Sequence, residues 1–67
     1  MFKAKIIRFA GTGNYVTDEW ITGYLSKEKN SEMYIITTEM KWIDGAEFSV
    51  EFEFIDIDSV IYLGVNA

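Results

Sequence analysis

Residues 46–54 read Ala46-Glu47-Phe48-Ser49-Val50-Glu51-Phe52-Glu53-Phe54, with apolar and polar side chains alternating throughout. A period of two is the mark of a β-strand with one buried face. The expected inward set is Phe48, Val50, Phe52 and Phe54, with Glu47, Ser49, Glu51 and Glu53 outward. Just upstream, Met33–Ile43 is rich in β-branched and aromatic residues, and Ile43-Asp44-Gly45 separates the two runs. Gly45 suits the left-handed third position of a three-residue hairpin loop. That loop sets Trp42 opposite Ala46, Met40 opposite Phe48, Thr38 opposite Val50, Ile36 opposite Phe52 and Tyr34 opposite Phe54. A two-residue Asp44-Gly45 loop would set Phe48 against Lys41 and Val50 against Glu39. Keeping one face apolar therefore favours the longer loop.

Working outward, Phe2–Phe9 reads as a strand that ends at the turn cluster Gly11-Thr12-Gly13-Asn14. Tyr15–Leu25 reads as a second strand, in which Gly23 marks a bulge or bend. The polar stretch Ser26–Ser31 leads into the third strand. Ile55–Ser59 suits a single helical turn capped by Asp56 or Asp58, and Val60–Gly64 a short closing strand. Five short strands with tight turns predict one all-β domain over residues 1–67, a five-stranded antiparallel barrel or roll of SH3-like size with at most one short helical turn. The expected core is Ile6, Trp20, Tyr24, Ile36, Met40, Trp42, Phe48, Val50, Phe52, Phe54, Val60 and Tyr62.

Composition restricts the chemistry. The 67 residues include no His, no Cys and no Pro, with 49% hydrophobic and 16% aromatic residues. So apolar a chain has surface worth burying, which argues against disorder. Disulfides, thiolate metal sites and cysteine nucleophiles are excluded, and the commonest general base is missing. These absences argue against an enzyme, and no cofactor is expected. No apolar run is long enough to span a bilayer or to form the apolar stretch of a signal peptide. Gly11-Thr12-Gly13-Asn14 lacks the Lys-Ser/Thr of a phosphate loop and reads as a plain turn.

Charge is unevenly placed. From Trp42 onward there are six acidic residues (Asp44, Glu47, Glu51, Glu53, Asp56 and Asp58) and no Lys or Arg, so the net charge of −5 lies wholly in that part. On a half-buried strand such carboxylates ordinarily form a solvated face. The functional alternative is an acidic stripe, Glu47, Glu51 and Glu53 extended by Asp56 and Asp58, that docks on a basic protein surface. A carboxylate-only metal site at Asp56 and Asp58 is disfavoured, because Ca²⁺ needs six to eight oxygens and no EF-hand spacing is present. Lys3, Lys5 and Arg8, beside Phe2 and Phe9, could serve a nucleic-acid-binding barrel. The negative net charge disfavours that reading.

Two stretches carry a family resemblance. Phe2-Lys3-Ala4-Lys5 with Asp18-Glu19-Trp20-Ile21-Thr22-Gly23-Tyr24-Leu25 resembles the opening of YopX-type proteins of phages and prophages. Ile55-Asp56-Ile57-Asp58-Ser59-Val60-Ile61-Tyr62-Leu63-Gly64 is similar to that family's closing segment, without its Pro. The resemblance covers about a third of the chain. It implies an all-β fold, a mobile-element origin and a place in the cytoplasm of a bacterial host, but no particular activity. The expectation is a small accessory protein that acts by binding a macromolecule, as an acidic inhibitor or adaptor of a host protein. The alternative is a structural or self-associating phage subunit. A homo-oligomer is expected either way, because so small a chain lacks staples and leaves a strand edge, Phe2–Phe9 or Val60–Gly64, open to pairing.

Overall fold

A computed structural model of the chain describes residues 1–65, with all of their side chains except those at 49 and 50. The strands are β1 (Phe2–Ala10), β2 (Gly13–Lys27), β3 (Tyr34–Ile43), β4 (Ala46–Ile55) and β5 (Ile61–Tyr62), with a 3₁₀ turn at Ile57–Ser59. All pairings are antiparallel, and β1–β2–β3–β4 close on themselves while β5 pairs with β1 at Phe2 and Lys3. The chain thus adopts the small all-β barrel expected of it.

β2 makes the closure possible by serving two neighbours. Gly13–Gly23 faces β1 and Tyr24–Lys27 faces β3. The change of partner falls at the buried Gly23, where a Cβ would run into the Thr37 carbonyl oxygen and lie 3.0 Å from Ile36 Cγ2. Only a residue without a side chain lets the two backbones approach this closely. A bulge lies further along the same strand. There Lys5 pairs with Trp20 but Ile7 with Val16, and the Glu19 amide donates to Thr17 Oγ1 at 3.0 Å.

The β3–β4 turn overturns the expected register. Ile43 pairs with Ala46 and Trp42 with Glu47, leaving Asp44-Gly45 as a two-residue loop. Asp44 has φ 52° and Gly45 φ 82°, the paired positive angles of a type I′ turn, whose twist matches that of the strands it joins. Asp tolerates the left-handed region better than most residues, so the short loop forms and Lys41 does face Phe48. Two irregularities between Thr37 and Met40 cancel, and the register beyond them is unchanged as far as Tyr34 opposite Ile55.

A slip of one residue turns a strand over, and here it does. Ile36 and Ile55 belong to the core cluster, and Glu53 is paired with Ile36. Glu53 thus shares a side with the core cluster, while Phe52 and Phe54 lie on the other side with their partners, the buried Thr37 and Ile35. The core is aliphatic: Ala4, Ile6, Ile35, Ile36 and Ile55 are buried, and Phe2, Ile21, Leu25, Tyr34 and Val60 pack on the central cluster. Of the expected core, Ile6 and Ile36 are buried, while Met40, Phe54 and Val60 are half-buried. Trp20, Tyr24, Trp42, Phe48, Phe52 and Tyr62 are exposed, Trp42 to 71%. Val50 lies outside the described side chains.

Of the two strands expected at an open edge, β1 is paired on both sides of its first half, whereas β5 pairs with β1 alone and stands at the edge of the sheet. The Asp56 amide donates to the Lys5 carbonyl at 2.9 Å, and the Lys5 amide donates to Ser59 Oγ at 2.8 Å. Asp56 caps the 3₁₀ turn by accepting from the Asp58 amide at 3.3 Å.

Candidate functional site

Past Ile6, the barrel opens. Among the described residues β1 and β4 share a single backbone pairing, Ile6 with Ile55, and β2 stays with β3 only from Tyr24 to Lys27. Beyond these points run two arms, the β1–β2 hairpin and the β3–β4 hairpin, each a two-stranded ribbon. Between them is an open cleft of about 560 Å³, with Ile6 and Ile21 among its apolar residues and Thr38, Glu51 and Glu53 among its polar ones.

The β1–β4 seam is held by side chains on both of its sides. On the inner side Arg8, in phase with Ala4 and Ile6, places NH1 2.7 Å from Glu53 Oε2 and NH2 3.1 Å from Glu19 Oε2. One guanidinium thereby joins β4 to β2 across the mouth. The Glu53 carboxylate, helped by Glu19, raises the Arg8 guanidinium above its ordinary value, which already keeps it cationic. On the outer side Phe9 meets Phe54 edge to face at 5.5 Å, and Phe54 meets Phe52 in the same way at 5.8 Å.

The acidic residues therefore have different environments. Glu53 is half-buried and bound to Arg8. Glu51 is exposed in the cleft, directly opposite Glu39, and accepts from Thr38 Oγ1 at 3.4 Å. Glu47 is exposed near the tip of the arm, opposite Trp42. Asp56 is occupied as a cap, and Asp58 is exposed on the 3₁₀ turn. Glu51 and Glu53 line the cleft together, whereas Glu47 lies in a separate depression beside Glu39 and Met40, so the three do not form the single stripe expected of them. Asp56 and Asp58 join neither group; they belong to the turn that docks on β1. Among the described residues no three carboxylates converge as a metal site would require.

The basic residues are divided too. Lys3 and Lys5 hold their ammonium groups 5.1 and 5.6 Å from the Trp20 ring on the outer side of β1, where Lys5 Nζ also lies 3.9 Å from Asp18. Arg8 points to the opposite side and is matched by carboxylates. Lys3, Lys5 and Arg8 thus form no single basic face.

The reading of the sequence missed the Arg8 clamp. Its signal was present: Arg8 is the only arginine, and it falls in the inward phase of Ala4 and Ile6. A cation placed there needs carboxylates on facing strands.

Neither a family model, nor a curated protein, nor a solved structure matches this chain. The YopX-type likeness therefore rests on the residues quoted for it. Among the described residues no helix is long and apolar enough to cross a membrane.

Proposed function

We propose that this chain is a small binding module, a phage or prophage accessory protein that acts by docking on another protein rather than by catalysis. Its binding element is the mouth between the two hairpin arms. The observation that carries this reading is the make-up of the cleft: the exposed Glu51, with Glu47 further along the arm, stands beside the apolar Ile6 and Ile21. Carboxylates beside an apolar floor suit a basic segment with apolar side chains, and such complementarity sets encounter rate and selectivity more than raw affinity. Arg8 neutralises Glu53 but leaves Glu51 and Glu47 free of ion pairs among the described residues.

The test is a pull-down from bacterial lysate at low and at high salt, with the native chain and with E47Q/E51Q. A partner held by the native chain at low salt, and lost both with salt and in the variant, supports the reading. A partner indifferent to both changes, or co-purifying nucleic acid, counts against it. The second reading, a self-associating subunit, is favoured by a separate observation. Phe9, Phe48 and Phe52 are each about half exposed.

A further inference from the structure

We infer that the cleft between the arms takes a single basic side chain of its partner and selects against a polybasic tract, and that Arg8 sets this limit by occupying Glu53. The inference rests on the cleft being the binding element and adds the kind of basic segment it selects.

The carboxylates carry it. Among the described residues two of them line the cleft, Glu51 and Glu53. Glu53 is already taken, because the Arg8 guanidinium lies 2.7 Å from its Oε2 and also reaches Glu19 at 3.1 Å. Glu51 accepts a long hydrogen bond from Thr38 Oγ1 at 3.4 Å and has no cation beside it among the described residues. Its register partner Glu39 lines a separate depression with Glu47 and is bound to Lys41 at 3.6 Å. The cleft thus offers one carboxylate that still lacks a counter-ion. Two positions along the strand, roughly 7 Å away, stands one that has its own.

The walls reinforce the limit. Ile6 and Ile21 supply apolar surface, which suits the hydrocarbon stem of a basic side chain and its apolar neighbours. Trp20 also lines the cleft, and the ammonium groups of Lys3 and Lys5 stand 5.1 and 5.6 Å from its ring. Lys5 is answered by Asp18 at 3.9 Å, whereas Lys3 has no ion pair among the described residues. Further cations entering beside the first would therefore meet Arg8 and these ammonium groups. Like charges set against each other select against such a partner. A lone basic residue between apolar ones pairs with Glu51 and avoids that repulsion.

The experiment titrates the full chain with two capped pentapeptides, followed by ¹H–¹⁵N NMR at low and at high salt. One peptide has a single arginine between leucines, and the other has three consecutive arginines. In the native chain shifts are expected at the Glu51 and Thr38 amides. The triple-arginine peptide should bind no more than about threefold tighter than the other, the statistical advantage of three side chains that cannot engage together. E51Q should weaken both peptides by about three- to fivefold, the worth of one exposed ion pair. R8Q frees Glu53 and removes a cation, so it should tighten the triple-arginine peptide by a similar factor and make its binding steeper in salt. R8K keeps the charge and should keep the native preference. A larger native preference for three arginines, or an R8Q chain that behaves as the native one does, overturns the inference and leaves the cleft as the binding element. Binding of neither peptide, or binding that E51Q does not weaken, overturns both. If R8Q does not fold, the native chain's preference between the two peptides still decides.

Discussion

The two ends of this barrel are built by different means. The closed end is sealed by backbone pairing on every side of β1 and filled with small aliphatic groups, Ala4, Ile36 and Ile55, which are at most 2% exposed. The open end has two ribbons, one cleft, and a seam held by Arg8 on one side and Phe9–Phe54 on the other. Most of the aromatic mass lies at or toward the surface, whereas in so small a chain it is ordinarily the first thing to be buried. The difference shows that stability and surface chemistry have been given to separate residue classes: isoleucines hold the fold, and phenylalanines, tryptophans and carboxylates are displayed.

Core truncation should break this comparison most sharply. Ile36→Ala is expected to cost about 3 kcal/mol, within the range for a fully buried aliphatic side chain, and thermal unfolding followed by circular dichroism will register it as the largest loss of the set. Gly23→Ala acts at the same end by crowding the Thr37 carbonyl, and about 2–3 kcal/mol is expected from overpacking. A chain that tolerates it without loss would show that β2 does not need its corner there.

On the arm, Gly45→Val should cost about 2 kcal/mol through forced left-handed strain. Because the arm lies apart from the core, amide exchange at β3 and β4 beyond Thr38 should accelerate more than exchange at Ile36. Trp42→Ala should cost less than about 1 kcal/mol, the usual range for an exposed site. A loss as large as that for Ile36 would mean that the aromatic arm is part of the core after all.

Arg8→Gln should have the smallest effect on stability, since exposed ion pairs contribute little. Its signature is faster exchange at the seam, reproduced in the native chain by 1 M salt. The raised guanidinium would give up stability only as pH climbs through its folded value, beyond the working range. Seam exchange, corrected for its intrinsic rate, should therefore show no Arg8 titration between about pH 6 and 10.

Much of the architecture was legible in the residues. Alternation placed all five strands to within a few positions. Gly23 announced a corner, and Asp56 was a candidate cap for the turn it does cap. The register was not legible, because two local rules disagreed. Patterning favoured the longer loop, but Asp44 and Gly45 together supply the two positive φ angles of a tighter one, and the tighter one formed. The side on which Phe52 and Glu53 lie follows from that single residue of slip, whereas the exposure of Trp20, Tyr24 and Tyr62, on β2 and β5, does not. The Arg8 clamp was hidden for another reason: Glu19, Glu53 and Arg8 meet only once the barrel has closed, and no local pattern encodes that closure.

The docking of the 3₁₀ turn on β1 has a consequence for the order of folding. The Lys5–Ser59 hydrogen bond joins residues 54 apart in the chain, whereas each hairpin is closed by a loop of a few residues. Closing the longer loop costs more entropy before any contact rewards it. The two hairpins should accordingly form first, and the return of Asp56–Ser59 to β1 should be a late event. A Ser59→Ala substitution would then act almost wholly on the unfolding limb of a chevron plot, leaving the refolding rate nearly unchanged.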